Sequence, residues 1–146
     1  MQKSTHHANY LLFVALALAM CASASTATDV TFPKIIAPDL VIESAEQGEF
    51  LDDPADPRHF KPSDKVGKKC GLFGWRMRVK TSRARILVQE RGANKGEPDA
   101  LPIQREPKYG YLYSAVNIVQ GVPAGNYSST VYVENVSVKT FTMIVK

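Results

Sequence analysis

The chain has 146 residues and a formal net charge of +4, and 45% of its residues are hydrophobic. This length fits a single domain that can bury about two-thirds of its unfolded surface without cross-links. The net charge is too small to favour nucleic acid as a partner.

The first 27 residues have the pattern of a secretory signal peptide. Lys3 precedes an uninterrupted apolar run at residues 10–20, and small residues follow it. The run is too short to cross a bilayer, which needs about 20 apolar residues. We therefore expect a signal peptide over residues 1–27 and a mature domain over residues 28–146 without a transmembrane segment. The expected location is periplasmic or secreted.

The two cysteines bear on processing and on cross-links. Cys21 ends the sequence LAMC, which loosely resembles the lipobox of bacterial lipoproteins, but Met20 stands where Gly, Ala or Ser is usual. A lipid anchor is therefore the less favoured alternative. Cys70 would be the only cysteine of the mature chain, so no internal disulfide is expected. With His59 the only histidine left to act as a base, Cys70 is interpreted as structural.

Two segments near the start of the mature chain have opposite character. Residues 34–42 are apolar and β-branched but contain Pro38, which cannot donate a ladder hydrogen bond and so indicates an edge strand or a switch between sheets. Residues 51–71 contain three prolines and many charges without apolar periodicity, which predicts a long irregular connection. Long loops in compact domains are often functional.

Alternation with a period of two predicts the central strands. Apolar residues alternate with glycine or charged residues for eight positions from Phe73 to Lys80, so one face is expected in the core. The apolar members are Phe73, Trp75, Met77 and Val79. A second strand would add Ile86 and Val88 to the same core, and residues 111–119 would form a strand with two fairly apolar faces.

The C-terminal segment predicts a β-hairpin. Pro123 and Gly125 mark a turn, Tyr127 begins an alternating strand, and Glu134 with Asn135 reverses the chain. A Pro and a Gly shortly before a tyrosine fit the tyrosine corner of immunoglobulin-like folds, in which the phenol bonds back to the preceding connection. The mature chain contains no convincing helical period. We predict an all-β fold, namely an immunoglobulin-like antiparallel β-sandwich of about seven strands.

Two stretches carry a family resemblance: CGLFGWRMRV at residues 70–79 and GYLYSAVNIVQGVPAGNYSSTVYVENVSVKTFTMIV at residues 110–145. Together they resemble a family of short bacterial exported domains of unknown function with an immunoglobulin-like shape. The resemblance covers about residues 35–146, and its most specific part is the G-x-P-x-G-x-Y turn at residues 121–127 with the final hairpin. It implies a fold and a compartment, and it implies no catalytic residues.

Charge is segregated along the mature chain. Residues 39–57 contain seven Asp or Glu and no Lys or Arg, whereas residues 61–91 contain ten Lys or Arg against two Asp or Glu. Arg76, Arg78 and Lys80 would emerge from one sheet face, where like charges repel unless an anion lies opposite. That anion is either the chain's own acidic segment or an external partner, such as an anionic glycan, a lipid phosphate or an acidic protein surface.

The predicted ligand-binding residues are therefore Arg76, Arg78 and Lys80, with Tyr111 and Tyr113 as a second choice because their rings share a strand face. We expect a non-catalytic exported binding or accessory module whose partner is an unknown protein or an anionic glycan or lipid surface.

No catalytic residues, metal ligands or cofactors are predicted. The chain contains none of the common hydrolase or nucleotide-binding motifs. The acidic stretch before His59 lacks the ligand spacing of a calcium loop. Two alternatives remain open: an enzyme or enzyme inhibitor that acts through residues 51–71, and a structural subunit that exchanges an edge strand near Pro38.

Overall fold

The computed structural model describes residues 30–66, 71–92, 99–118 and 122–146. These residues form ten β-strands and no helix. The strands are β1 (Lys34–Ala37), β2 (Leu40–Phe50), β3 (Phe60–Pro62), β4 (Lys65–Val66), β5 (Leu72–Thr81), β6 (Ile86–Gly92), β7 (Ile103–Arg105), β8 (Tyr111–Asn117), β9 (Gly125–Val133) and β10 (Val136–Val145).

The strands build two five-stranded sheets that enclose one main core. The first sheet has the order β1-β2-β5-β8, and β3 pairs with the other end of β2. The second sheet has the order β4-β10-β9-β6-β7. In the described part of the chain β4 and β10 run parallel, and the other pairs are antiparallel. The strand number exceeds seven because β1, β3, β4 and β7 have four residues or fewer, which is too short to show alternation in the sequence.

The core forms as the alternation in β5 predicts. The inward side chains Phe73, Trp75, Met77 and Val79 are all buried. Ile86 and Val88 of β6 are also buried and belong to the same cluster as Trp75 and Met77. Full burial of a side chain of this size contributes about 1.5–3 kcal/mol. Burial of these side chains in the shared core therefore helps to hold the two sheets together.

Pro38 lies in a turn between two strands of the first sheet. β1 before it is an edge strand, as predicted, while β2 after it pairs with both β1 and β5 and is an interior strand. Leu40 and Ile42 are fully buried, which fixes the register of β2 against the core. The acidic segment consequently lies beside the basic strand β5, with Glu46 opposite Arg76.

The prediction of an irregular connection over residues 51–71 is wrong in part. This segment contains β3, which pairs with the end of β2, and β4, which pairs with the end of β10. Between β2 and β3 the Leu51 backbone nitrogen donates to the His59 carbonyl oxygen at 3.0 Å and closes a loop. Such short strands depend on hydrogen bonds from long neighbouring strands, so their own sequence has no apolar alternation from which they could be predicted.

The C-terminal hairpin forms as predicted. Glu134 and Asn135 have φ values of 48° and 64°, which are typical of a two-residue turn whose twist matches that of the flanking strands. At the other end of β9 the Tyr127 hydroxyl donates to the Pro123 carbonyl oxygen at 2.8 Å. This bond confirms the predicted tyrosine corner.

Three predictions lie outside the described residues: the signal peptide over residues 1–27, the lipid anchor at Cys21 and the structural role of Cys70. In the ranges that the structure describes, no helix has the length and hydrophobicity needed to cross a membrane.

Candidate functional site

The outward side of the first sheet brings most of the predicted binding residues together. Arg76 of β5 lies between Glu46 of β2 and Tyr113 of β8, and Arg78 lies opposite Tyr111. Directly opposed residues of neighbouring strands point to the same side of a sheet. These five side chains therefore share the side that faces away from the core. We call this surface the outer face.

The two arginines of the outer face are paired with the chain's own acidic segment. An Nη atom of Arg76 lies 2.7 Å from a carboxylate oxygen of Glu46, and the other donates to the Pro57 carbonyl oxygen at 2.7 Å. The Nε of Arg78 donates to Glu43 at 3.2 Å. The sequence left open whether the counter-charge is the chain's own acidic segment or an external anion. In the structure, the acidic segment supplies the carboxylate that pairs with each of the two arginines.

Lys80 lies outside this arrangement. It stands opposite Val41 near the end of β5, is exposed, and forms no ion pair with any residue that the structure describes.

Just beyond β5, Arg83 donates two hydrogen bonds of 2.7 Å to Asp39. These bonds hold the pKa of the Asp39 carboxyl below its ordinary value. Ion pairs with the acidic segment thus extend beyond the outer face.

Aromatic rings surround Arg76. Its Cζ lies 4.4 Å from the centre of the Phe60 ring and 5.1 Å from that of Tyr111. Phe50 packs against Phe60 with ring centres 5.0 Å apart and against Tyr113 at 5.7 Å. Tyr111 and Tyr113 are therefore half-buried within a cluster of rings and two guanidinium groups, those of Arg76 and Arg78, and they do not form a free aromatic platform.

An exposed tyrosine lies at the edge of the outer face, in the turn before β8. Backbone hydrogen bonds join Lys108 and Tyr111 in both directions, so Tyr109 and Gly110 form a two-residue turn with φ values of 52° and 78°. The Tyr109 side chain is 63% exposed. The Cζ of Arg58 lies 3.6 Å from the centre of its ring.

Arg58 is in turn held by a carboxylate. Its guanidinium donates to both oxygens of Asp56, the shortest bond being 2.7 Å, and holds the pKa of that carboxyl well below its usual range. Two planar groups, the Tyr109 ring and the Arg58 guanidinium, are thereby stacked and fixed. No pattern in the sequence points to Arg58, because its contact with Tyr109 joins two segments that are far apart in the chain.

Asp52, Asp56 and His59 also lie close together. One ligand atom from each falls within 4.8 Å of the others, and His59 Nδ1 contacts Asp52. The same Asp56 carboxylate, however, accepts the bidentate hydrogen bonds of Arg58. A guanidinium on this carboxylate competes with any metal cation, so the arrangement is that of a loop held by the Arg58–Asp56 ion pair and the His59–Asp52 contact.

No protein-family model matches the chain, and no curated protein matches it either. Among solved structures, the chain is similar to an immunoglobulin-like protein from Pseudomonas aeruginosa, with a TM-score of 0.48 and 13% sequence identity. The match covers 74% of this chain and 97% of that chain. The two-sheet topology and the tyrosine corner at Tyr127 are those of an immunoglobulin-like sandwich, so the predicted fold class is confirmed.

Proposed function

We propose that this protein is a non-catalytic binding module that contacts a protein partner through the outer face and the adjoining Tyr109 turn. The observation that carries the proposal is the Tyr109 ring, which is 63% exposed and yet stacked on Arg58 at 3.6 Å. Tyrosine and arginine are enriched among the residues that dominate protein interfaces. An exposed aromatic side chain that is already held in place loses little conformational entropy on binding.

A protein surface has more support than an anionic glycan or lipid surface. The guanidinium groups of Arg58, Arg76 and Arg78 already contact carboxylates of the same chain. An external anion would have to displace those carboxylates, whereas a protein partner can bury the stacked groups as they stand. The exposed Lys80, on the same strand as Arg76 and Arg78, leaves a weaker anionic interaction as the second candidate.

The proposed location is the periplasm or the extracellular medium. Its support is the N-terminal sequence, where Lys3 and an apolar run have the signal-peptide pattern, and the resemblance to bacterial exported domains of unknown function. The non-catalytic role is supported by the scarcity of histidine, the commonest general acid or base. His59 would be the only histidine of the mature chain, and it contacts Asp52.

The sequence left two alternative functions, an enzyme or inhibitor acting through residues 51–71 and a subunit that exchanges an edge strand, and the fold indicates which surface each would use. Residues 51–71 contribute Arg58 and Phe60 to the surface around Tyr109 and Arg76, so an inhibitor acting through this segment would use the same surface. A subunit that exchanges an edge strand would use β1, which is four residues long and offers few ladder hydrogen bonds.

Site-specific photo-crosslinking tests the proposal. A photoreactive phenylalanine replaces Tyr109 in one variant and Tyr132 in another, and both are irradiated in the native host. Tyr132 is a matched control, because it lies in the second sheet and also has an arginine over its ring, Arg91 at 4.1 Å. We expect a discrete protein adduct from position 109 and none from position 132.

The captured protein is then purified and its affinity measured. Truncating a residue that contributes strongly to an interface costs at least about 1 kcal/mol, which corresponds to a rise in Kd of roughly fivefold or more. We expect such a rise for Tyr109→Ala and for Arg58→Ala, and none for Tyr132→Ala. Equal adducts from both positions, an unchanged Kd for Tyr109→Ala, or strong retention on anionic vesicles in place of a protein adduct would contradict the proposal.

A further inference from the structure

A cavity of about 250 Å³ lies between the two sheets. Side chains of both sheets line it, among them Phe73, Trp75, Ser114, Phe141 and Met143, and the acidic Glu90 also lines it. Trp75 is opposite Ser114 in the first sheet, and Ser129 is opposite Phe141 in the second. Val116 also lines the cavity and is 54% exposed, so the cavity reaches the surface beside β8.

Arg105 extends into the interior from the edge of the second sheet. It lies opposite the fully buried Ile86 in the pairing of β7 with β6, so its side chain starts on the inner face. Its Nη1 donates to the Tyr113 carbonyl oxygen at 2.9 Å, and its Nη2 donates to the Ser114 Oγ at 3.3 Å. Ser114 lines the cavity, so this guanidinium is hydrogen-bonded to the cavity wall, and it joins the two sheets there.

Arg105 is half-buried without a carboxylate at ion-pair distance in the described ranges. Five other arginines do have such a partner: Arg58, Arg76, Arg78, Arg83 and Arg91. Burial lowers the pKa of Arg105, and Glu90, which lines the same cavity beyond ion-pair distance, opposes this only in part. Burying a charge is costly unless a counter-charge accompanies it. The charge of Arg105 is therefore only partly balanced by carboxylates of the described residues.

Two buried donors in this region have no acceptor among the described residues: the Nε1 of Trp75 and the Nε of Arg105. Trp75 is only 3% exposed, and the Cζ of Arg105 lies 5.8 Å from the centre of its ring. Buried polar groups are paired in the great majority of cases. Two unpaired donors so close together indicate an acceptor that comes from outside the chain.

We propose that the cavity binds a small monocarboxylate with an apolar body. The carboxylate accepts hydrogen bonds from Arg105 and Trp75, and the apolar body lies against Phe73, Phe141 and Met143. The volume limits the ligand, because an apolar cavity of about 150 Å³ binds benzene and pockets for drug-sized molecules begin at about 300 Å³. A medium-chain fatty acid or a single-ring aromatic acid fits this range. The site is separate from the outer face and does not depend on the function proposed for it.

Tryptophan fluorescence tests this proposal, because Trp75 is the only tryptophan of the chain. The purified protein is titrated with sodium octanoate and sodium benzoate, and with 1-octanol and octylamine as probes of similar size without a carboxylate. We expect the fluorescence of Trp75 to change with the concentration of octanoate or benzoate and to reach saturation. The Kd of octanol should be at least about tenfold higher than that of octanoate, because octanol carries no carboxylate and cannot accept a hydrogen bond between opposite charges from Arg105. Octylamine should bind no better than octanol.

Three variants locate the site. Arg105→Gln should raise the Kd for octanoate about tenfold, whereas Arg85→Gln, which removes an exposed arginine just before β6, should leave it unchanged. Val116→Phe fills the cavity opening at a partly exposed position and should abolish the fluorescence response to octanoate. This variant tests the site independently if Arg105→Gln does not fold. The proposal is overturned by no saturable response up to about 1 mM acid, by octanol or octylamine binding as tightly as octanoate, or by unchanged binding in Val116→Phe.

Discussion

Double-mutant cycles on the outer face provide the sharpest test of its charge balance. Arg76–Glu46 and Arg78–Glu43 lie on the same two strands at distances of 2.7 and 3.2 Å. They differ in exposure, because the Arg76 side chain is 15% exposed and that of Arg78 is 61% exposed. Each pair therefore serves as a control for the other.

The expected magnitudes follow from this difference. Two unit charges about 4 Å apart attract by about 4 kcal/mol at an effective dielectric constant of about 20. Desolvation and the ordering of two side chains reduce this gross value. We expect a coupling energy of about 1–2 kcal/mol for Arg76–Glu46. For Arg78–Glu43 we expect less than about 0.5 kcal/mol, as is usual for exposed pairs.

Urea denaturation measures both couplings. Arg76→Met, Glu46→Gln and their double variant form one cycle, and Arg78→Met, Glu43→Gln and their double variant form the other. The hydrogen bond from Arg76 to Pro57 is lost in two corners of the first cycle and cancels. Equal couplings for the two pairs, or a coupling near zero for Arg76–Glu46, would refute the view that the acidic segment neutralises this strand.

Two further predictions concern close packing and pH. A Cβ on Gly74 would lie 1.9 Å from the Ser114 carbonyl oxygen, so Gly74→Ala should lower the free energy of unfolding by about 1–3 kcal/mol or more. Gly71→Ala, with 3.6 Å to its nearest atom, should change the free energy by less than about 0.5 kcal/mol, and equal melting temperatures for the two variants would contradict this reasoning. Because Arg83 lowers the pKa of Asp39 from 3.8, the stability this pair contributes is present above that pH and is lost as the pH falls through the lowered value. Asp39→Asn should therefore melt below the wild type at neutral pH and together with it in strong acid, whereas a difference that persists in acid would argue against the ion pair.

The sequence predicted which residues occupy the outer face better than it predicted which residues they pair with. Alternation along β5 places Arg76 and Arg78 on one side, which is where they lie. Their partners come from another strand, and Glu46 precedes Arg76 by 30 positions. The stacking of Arg58 on Tyr109 was not predicted, because it requires the loop between β2 and β3 to fold against the turn before β8.

The amino-acid sequence by itself determined the all-β class, the buried face of β5, the final hairpin and the tyrosine corner. These features depend on period-two alternation and turn chemistry, which act between residues a few positions apart. Only the tertiary structure decided that the acidic strand β2 lies beside the basic strand β5, and that Arg105 reaches from one sheet to the other beside Trp75. Those contacts arise from the choice of neighbouring strands and sheets, and that choice depends on how the whole core packs.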